Sequence, residues 1–139
     1  MANSIVRAFL IACKAHKGQK DRSGKPYIFH PLNVAIHSKG KDAKIVALMH
    51  DVVEDSDMSL CDIKGFSKDI MDALDVMTHR KYVKYMTYIE VISENPLAKK
   101  VKMKDLEHNM QIRRIKNPTY EDFERVRKYI DAYEYLMSH

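Results

Sequence analysis

The stretch Ala47-Leu48-Met49-His50-Asp51-Val52-Val53-Glu54-Asp55-Ser56 places two polar residues, His50 and Asp51, in the middle of an apolar run. Burying such a pair costs free energy unless another group pairs with it. A divalent metal ion would do so, because imidazole and carboxylate are ligands that borderline cations accept. On a continuous helix, Glu54 would lie one turn beyond His50, since residues four apart share a face. Asp55 would lie in the same way beyond Asp51, so the stretch predicts one helix that presents an imidazole and three carboxylates.

A plainer interpretation of this stretch is a helix whose acidic end faces water. His50 would then be a core histidine with an ordinary hydrogen-bond partner, and no metal would be needed. From these ten residues alone, both interpretations stay open.

Two further segments carry polar residues that need a partner. His30 follows an apolar, extended stretch and directly precedes a proline that can start a helix. Asp105 lies in an apolar frame four residues before Asn109, so both side chains project from one face. A lone histidine is commonly structural, and an acid in such a frame is commonly ion-paired to Lys or Arg. Together with the first stretch, however, these residues could form a metal site built between packed helices.

The hydrophobic periodicity is helical nearly throughout the chain, and no stretch alternates as a strand would. Asn95-Pro96 and Asn117-Pro118-Thr119 mark turns between helices. The pattern predicts an all-α fold of about seven or eight helices, in a single domain over residues 1–139. The predicted helices are residues 3–17, 31–38 and 42–55, a short helix capped by Ser59, and residues 67–78, 82–94, 96–115 and 119–137.

The composition is that of an ordinary globular protein, with 45% hydrophobic and 31% charged residues and two cysteines. No apolar run approaches the roughly 18 residues that span a bilayer, and the first four residues do not resemble a signal peptide. A cytoplasmic location without membrane contact is therefore expected. The sequence does not specify an oligomeric state, and a homo-oligomer is compatible with its content of Met and Tyr.

The formal net charge of +5 fits an anionic ligand. Basic residues are interspersed with acids, and neither a zinc-finger spacing nor an RNA-reading aromatic motif is present, so nucleic acid is not the expected partner. The densest basic stretch is interpreted either as a solvated helix face with salt bridges or as a patch that attracts phosphate. It comprises Lys99, Lys100, Lys102, Lys104, Arg113 and Arg114.

Four motifs give the chain a family resemblance over about residues 5–136. They are residues Ala15–Gln19, Ser23–Leu32, Leu48–Asp55 and Val101–Met110. In combination they resemble the motifs of the HD-domain metal-dependent phosphohydrolases. Within that family the chain looks like the hydrolase domain of the Rel/SpoT proteins and like the small alarmone hydrolases.

This resemblance implies an all-α HD-domain bundle with four metal ligands, His30, His50, Asp51 and Asp105. The metal in this branch is usually manganese. The implied reaction is removal of the 3′-pyrophosphate from guanosine tetra- or pentaphosphate (ppGpp) alarmones, so the implied partner is a phosphorylated nucleotide.

The resemblance also implies that Glu54 and Asp55 activate or orient the attacking water. It places the base and ribose of the nucleotide at the loop from Lys20 to Ser23. The residues expected to hold the substrate are Lys20, Arg22, Ser23 and Asn109. At this loop the chain departs from the larger Rel/SpoT enzymes, which usually carry Arg-Lys-Ser where it has Asp21-Arg22-Ser23. An acid beside a polyphosphate leaves the specificity for guanine nucleotides open.

Three alternatives stay open at this point. An HD phosphohydrolase for another phosphorylated nucleotide would use the same metal site; candidates are NADPH at its 2′-phosphate, an adenine alarmone or a nucleoside monophosphate. A non-catalytic binding module on a retained HD scaffold would bind its nucleotide without metal. A basic helical domain that binds nucleic acid would show an affinity that falls steeply with salt.

Overall fold

The computed structural model describes residues 3–139, and within that range the chain is all-α, as the sequence predicts. The eight α-helices are α1 (Asn3–Ala15), α2 (Phe29–His37), α3 (Lys41–Met49), α4 (Val52–Asp55), α5 (Lys68–Met77), α6 (Tyr85–Ser93), α7 (Pro96–Asn109) and α8 (Tyr120–Ser138). Two short 3-10 turns, Leu60–Asp62 and Ile112–Arg114, lie between them. An isolated antiparallel bridge joins Lys20 to Pro26. Among the helices described, none combines the length and apolarity needed to cross a membrane.

The prediction of one helix over residues 42–55 is wrong, because the helix is interrupted at His50 and Asp51. Nδ1 of His50 lies 2.6 Å from the carbonyl oxygen of Ala47, which is the acceptor for the amide of residue 51 in a continuous α-helix. Asp51 takes φ −101° and ψ 0°, away from regular helical values. The imidazole and the three carboxylates therefore do not share one uninterrupted helical face.

The starts of α7 and α8 follow capping residues of the sequence. Asn95 accepts a hydrogen bond from the amide of Ala98, and Pro96 occupies the first turn of α7. Thr119 and Asp122 form a capping box at the start of α8. The predicted helix over residues 96–115 is too long, since α7 ends at Asn109 and a 3-10 turn follows.

The core is centred on α3, whose residues from Ile45 to Met49 are all buried. This helix packs against α1, α2, α5 and α7. Because α2 and α7 also contact each other, three helices meet at the C-terminal end of α3. His30 of α2, His50 after α3 and Asp105 of α7 are each only 3% exposed at this junction. The packing of apolar faces thus brings three polar side chains together in the interior.

Candidate metal centre and adjoining cleft

Four side chains converge at the junction of α2, α3 and α7. His30, His50, Asp51 and Asp105 each offer one ligand atom, and these four atoms lie within 4.8 Å of one another. Oδ1 of Asp105 is 2.8 Å from Nε2 of His30 and 3.2 Å from Nε2 of His50. Oδ2 of Asp51 is 3.0 Å from Nε2 of His50. The structure therefore brings together the four residues that the resemblance implied as metal ligands.

Both histidines are oriented by their second ring nitrogen. Nδ1 of His50 donates to the Ala47 carbonyl, and Nδ1 of His30 lies 2.7 Å from Nδ1 of His108, with the two rings stacked. Burial, together with the neighbouring His30 and Arg114, lowers the pKa of His108 to about 4. A neutral His108 can accept a hydrogen bond from the Nδ1–H group of His30. Both histidines then turn Nε2 toward the carboxylates, the arrangement by which outer groups orient imidazole ligands.

The charges of the cluster fit a cation. Burial alone would lower the pKa of His50, but Asp51 and Asp105 raise that pKa well above its usual range. The two carboxylates thus attract positive charge at this point of the interior. Two imidazoles and two carboxylates are a donor set for divalent metals such as manganese, iron and zinc. The residues present therefore fit a divalent metal ion.

A cleft of about 700 Å³ adjoins the cluster at His30. This volume lies within the range of small-molecule sites. Four of the lining side chains are basic, which suits an anionic ligand. The lining residues are Lys20, Asp21, Arg22, Ser23, Gly24, Tyr27, His30, Asn109, Gln111, Arg114, Ile115, Arg125 and Tyr129.

Asp21, the residue that departs from the Rel/SpoT pattern, organises the loop at the edge of this cleft. Its Oδ1 accepts hydrogen bonds from the amide of Ser23 at 2.8 Å, the hydroxyl of Ser23 at 2.6 Å and the amide of Lys25 at 3.0 Å. Its Oδ2 lies 3.7 Å from the guanidinium of Arg114. Although burial opposes it, these hydrogen bonds lower the pKa of Asp21. Asp21 is thus an ionised carboxylate whose charge is compensated within the protein by these donors and by Arg114.

Arg22, the next residue of the loop, forms an ion pair with the C-terminal helix. Its Nη2 lies 2.6 and 2.8 Å from the two carboxylate oxygens of Asp122, and its Nε lies 3.0 Å from Oδ1. Asp122 is fully buried and also accepts a hydrogen bond from Arg125 at 2.9 Å. One carboxylate therefore fixes two arginines of the cleft. Neither Asp122 nor Arg125 was predicted as a site residue, because nothing in the sequence links Asp122 to Arg22, 100 positions away.

Comparison with known proteins identifies the fold and the kind of domain. No protein-family profile matches the chain. It is 34% identical to a GTP pyrophosphokinase of Streptomyces coelicolor over 79% of this chain and 15% of that protein. It is 38% identical to a guanosine-3′,5′-bis(diphosphate) 3′-pyrophosphohydrolase of Aquifex aeolicus over 60% of this chain and 13% of that protein. The chain thus spans less than a sixth of the length of these curated relatives.

Among solved structures, a metazoan ortholog of SpoT that hydrolyzes ppGpp superposes with a TM-score of 0.73. The match covers 94% of this chain and 83% of the other, at 22% identity, so it establishes the fold. The chain is a Rel/SpoT hydrolase-like HD domain.

In this HD domain the two acids expected to act on water lie on α4, which begins directly after Asp51. The backbone amide of His79 donates to the carboxylate of Glu54. Although the residue as a whole is exposed, desolvation of its carboxylate raises the pKa of Glu54 to about 7, helped by the charge of Asp51 and opposed by the hydrogen bond from His79. Burial and Asp51 likewise raise the pKa of Asp55, which lines a separate hollow next to Gln19. Glu54 is therefore the acid whose pKa suits proton transfer near neutral pH.

The residues of the HD domain expected to hold substrate lie on one wall of the cleft. Lys20, Arg22 and Ser23 line it from the loop, and Asn109 lines it from the end of α7. Asn109 also donates to Oδ1 of Asp105 at 3.1 Å, so it links the cleft to the metal centre.

Two side chains that contact the metal centre were not assigned a role from the sequence. The hydroxyl of Tyr27 donates to Oδ2 of Asp51 at 2.6 Å, whereas the motif that contains Tyr27 gives this residue no role of its own. Lys102, treated as part of a basic stretch, is 8% exposed, and its Nζ lies 2.8 Å from Oδ2 of Asp105. The spacing of three between Lys102 and Asp105 on one helix was the available signal, since such residues are neighbours.

Proposed function

We propose that this HD domain is a metal-dependent phosphohydrolase that removes the 3′-pyrophosphate from ppGpp-type alarmones, with residues 1–139 acting as one domain. The observation that carries the proposal is the set of four metal-type ligands, three of them buried and Asp51 partly so, which adjoins a cleft lined by four basic side chains. Relatives named as guanosine-3′,5′-bis(diphosphate) 3′-pyrophosphohydrolases support the choice of substrate.

His30, His50, Asp51 and Asp105 would hold the metal, for which we propose Mn²⁺. When bound, such an ion lowers the pKa of a coordinated water and neutralises charge on a phosphate oxygen. The protein positions the two histidines through Ala47 and His108.

Glu54 is proposed as the group that accepts the proton of the attacking water. A base with a pKa of about 7 is largely deprotonated just above neutral pH, yet basic enough to bind the proton. The water oxygen would bond to the phosphorus next to the ribose 3′-oxygen, and the bond between that phosphorus and the 3′-oxygen would break. The 3′-oxygen takes up one proton, which balances the proton that Glu54 accepts from the water, and ppGpp gives a nucleoside 5′-diphosphate and pyrophosphate. Asp55 is proposed to orient the water.

The cleft residues Lys20, Arg22, Ser23 and Asn109 are proposed to hold the nucleotide. The side chain of Arg22 is 58% exposed even with its pair to Asp122, so a phosphate can reach it. Arginine binds phosphate oxygens by paired hydrogen bonds, which gives orientation as well as affinity. A phosphorylated nucleotide is therefore the partner that the cleft favours.

A second candidate is hydrolysis of another phosphorylated nucleotide, such as NADPH at its 2′-phosphate. The observation that favours it is Asp21, an acid in the part of the cleft that would meet the base and ribose. Because the same metal centre would serve either substrate, only the products distinguish the two reactions.

The deciding experiment is a panel of ppGpp, NADPH, an adenine alarmone and nucleoside monophosphates, each incubated with the protein and MnCl2. We expect release of pyrophosphate from ppGpp, and loss of this activity in Asp51→Ala, which removes one ligand. Phosphate release from another member of the panel, without pyrophosphate from ppGpp, would select the second candidate. Full activity of Asp51→Ala with Mn²⁺ would show that the metal centre is assigned wrongly.

A further inference from the structure

The two oxygens of Asp105 have different partners. Oδ1 faces the cluster and contacts Nε2 of His30 at 2.8 Å and Nε2 of His50 at 3.2 Å. It also accepts a hydrogen bond from Asn109 at 3.1 Å. Oδ2 faces the other way and accepts a hydrogen bond from the ammonium of Lys102 at 2.8 Å. One oxygen is thus directed to the metal position, and the other is bound to a cation of the protein.

Lys102 is held in this position by its surroundings. The residue is 8% exposed, and its Nζ lies 5.3 Å from the centre of the Tyr88 ring. Tyr88 is itself fixed, because its hydroxyl donates to the carbonyl of Met77 at 2.6 Å and its ring stacks on His79. A buried ammonium is costly unless it is paired. The carboxylate of Asp105 is therefore the group that keeps Lys102 in place, and Lys102 in turn fixes the carboxylate.

A bound metal ion and Lys102 would share the carboxylate of Asp105. Two cations on opposite oxygens of one buried carboxylate repel each other, and the repulsion is stronger in the protein than in water. Without metal, however, Lys102 is the cation that compensates Asp105. Lys102 therefore stabilises the metal-free site and destabilises the metal-loaded site.

We propose that Lys102 is a positioning residue, a built-in cation that keeps Asp105 oriented when no metal is bound and that weakens the binding of the metal. The proposal rests on the metal-binding part of the proposed function. Lys102 leaves Asp105 one oxygen for the metal, and it adds a fixed positive charge beside a centre that must receive a polyanionic substrate. The centre is thereby formed before the metal arrives, at a cost in metal affinity.

The test is calorimetric titration of the metal-stripped full chain with MnCl2. Lys102→Met keeps the apolar length of the side chain and removes its charge. We expect it to bind Mn²⁺ at least about tenfold more tightly than the wild-type protein does, the smallest effect that a neighbouring unit charge would have on a divalent ion. Lys102→Gln keeps a hydrogen-bond donor without the charge and should also bind more tightly. Lys104→Met removes an exposed lysine of the same helix, paired to Glu107, and should leave the affinity unchanged.

The outcomes separate this inference from the proposed function. If the wild-type protein binds no Mn²⁺, the metal centre itself is wrong. If the wild-type protein binds Mn²⁺ but Lys102→Met and Lys102→Gln bind it equally or more weakly, the inference is overturned. Where either variant is too unstable to titrate, thermal unfolding with and without MnCl2 replaces the calorimetry. The rise in Tm on adding MnCl2 should then exceed that of the wild-type protein, and an equal or smaller rise overturns the inference.

Discussion

Replacing Glu54 with glutamine should slow pyrophosphate release from ppGpp by at least about 100-fold, the lower end of the loss expected when a general base is removed. In this variant the loss of the base can be separated from other changes in the protein. Glutamine keeps the carbonyl oxygen that accepts the hydrogen bond from the amide of His79, so the backbone contact is preserved. Glu54 also lies outside the four-ligand set, so the Mn²⁺ content of the variant should equal that of the wild-type protein.

The pKa of Glu54 also predicts how the activity of the wild-type protein depends on pH. Because the base acts in its deprotonated form, activity should rise as the pH passes upward through about 7. A group with that pKa is about 9% deprotonated at pH 6 and about 91% at pH 8, so kcat/KM should rise about tenfold between them. An acid with an ordinary pKa would already be deprotonated at pH 6 and would give almost no rise.

The assay is a pH series of kcat/KM for pyrophosphate release with saturating Mn²⁺, beside metal analysis of each protein. Glu54→Gln should lose the rise between pH 6 and pH 8, whereas Glu90→Gln, an exposed acid on α6, should keep both the rise and the rate. If Glu54→Gln retains the rise and a rate within about tenfold of the wild-type protein, another group accepts the proton and the reasoning from Glu54 fails.

Two other substitutions test the contacts around the metal centre and the cleft. Tyr27→Phe removes the hydroxyl that donates to Asp51 and should weaken Mn²⁺ binding by about tenfold, as the loss of an outer hydrogen bond does. The control is Tyr120→Phe, which changes an exposed ring. Equal Mn²⁺ affinities of the two variants would contradict this prediction. Asp122→Asn removes the charge that pairs with Arg22 and Arg125, so KM should rise with little change in kcat. Asp122→Asn should also lower the free energy of unfolding in urea by about 2 kcal/mol more than Thr119→Ala does, because Thr119→Ala loses only the helix cap. If both variants lose the same free energy of unfolding, the arginine pairs do not stabilise the fold.

Most of the fold could be predicted because its signals are local. The periodicity of apolar residues and the caps at Asn95 and Thr119 depend on residues within a few positions of each other. The break at His50 could not be predicted in the same way. Apolar residues continue at helical spacing through it. The end of the helix is seen only in the structure, in the hydrogen bond between His50 and the Ala47 carbonyl and in the backbone angles of Asp51.

The candidate site likewise contains residues that local sequence signals identify and residues whose roles depend on the packing of the helices. The four ligand-type residues were found through motifs and the resemblance, and the structure brings their ligand atoms within 4.8 Å. The roles of Lys102 and Asp122 depend instead on burial, which changes a lysine from a solvated surface group into the fixed partner of a buried acid. Burial of a charged residue follows from how the helices pack, and a charged residue in a basic stretch gives no sign of it.

The ion pair between Arg22 and Asp122 has a consequence for the order in which the protein is assembled. These two residues are 100 positions apart, whereas the pairs that form helices are three or four positions apart. Contacts between distant positions form late, because a long loop must be closed first. Because the chain is made from its N-terminus, Asp105 of the metal centre is synthesised before Asp122, so all four ligand residues exist before the partner of Arg22 does. The cleft wall is completed last, so the nascent chain should acquire metal-binding competence before it acquires a finished substrate pocket.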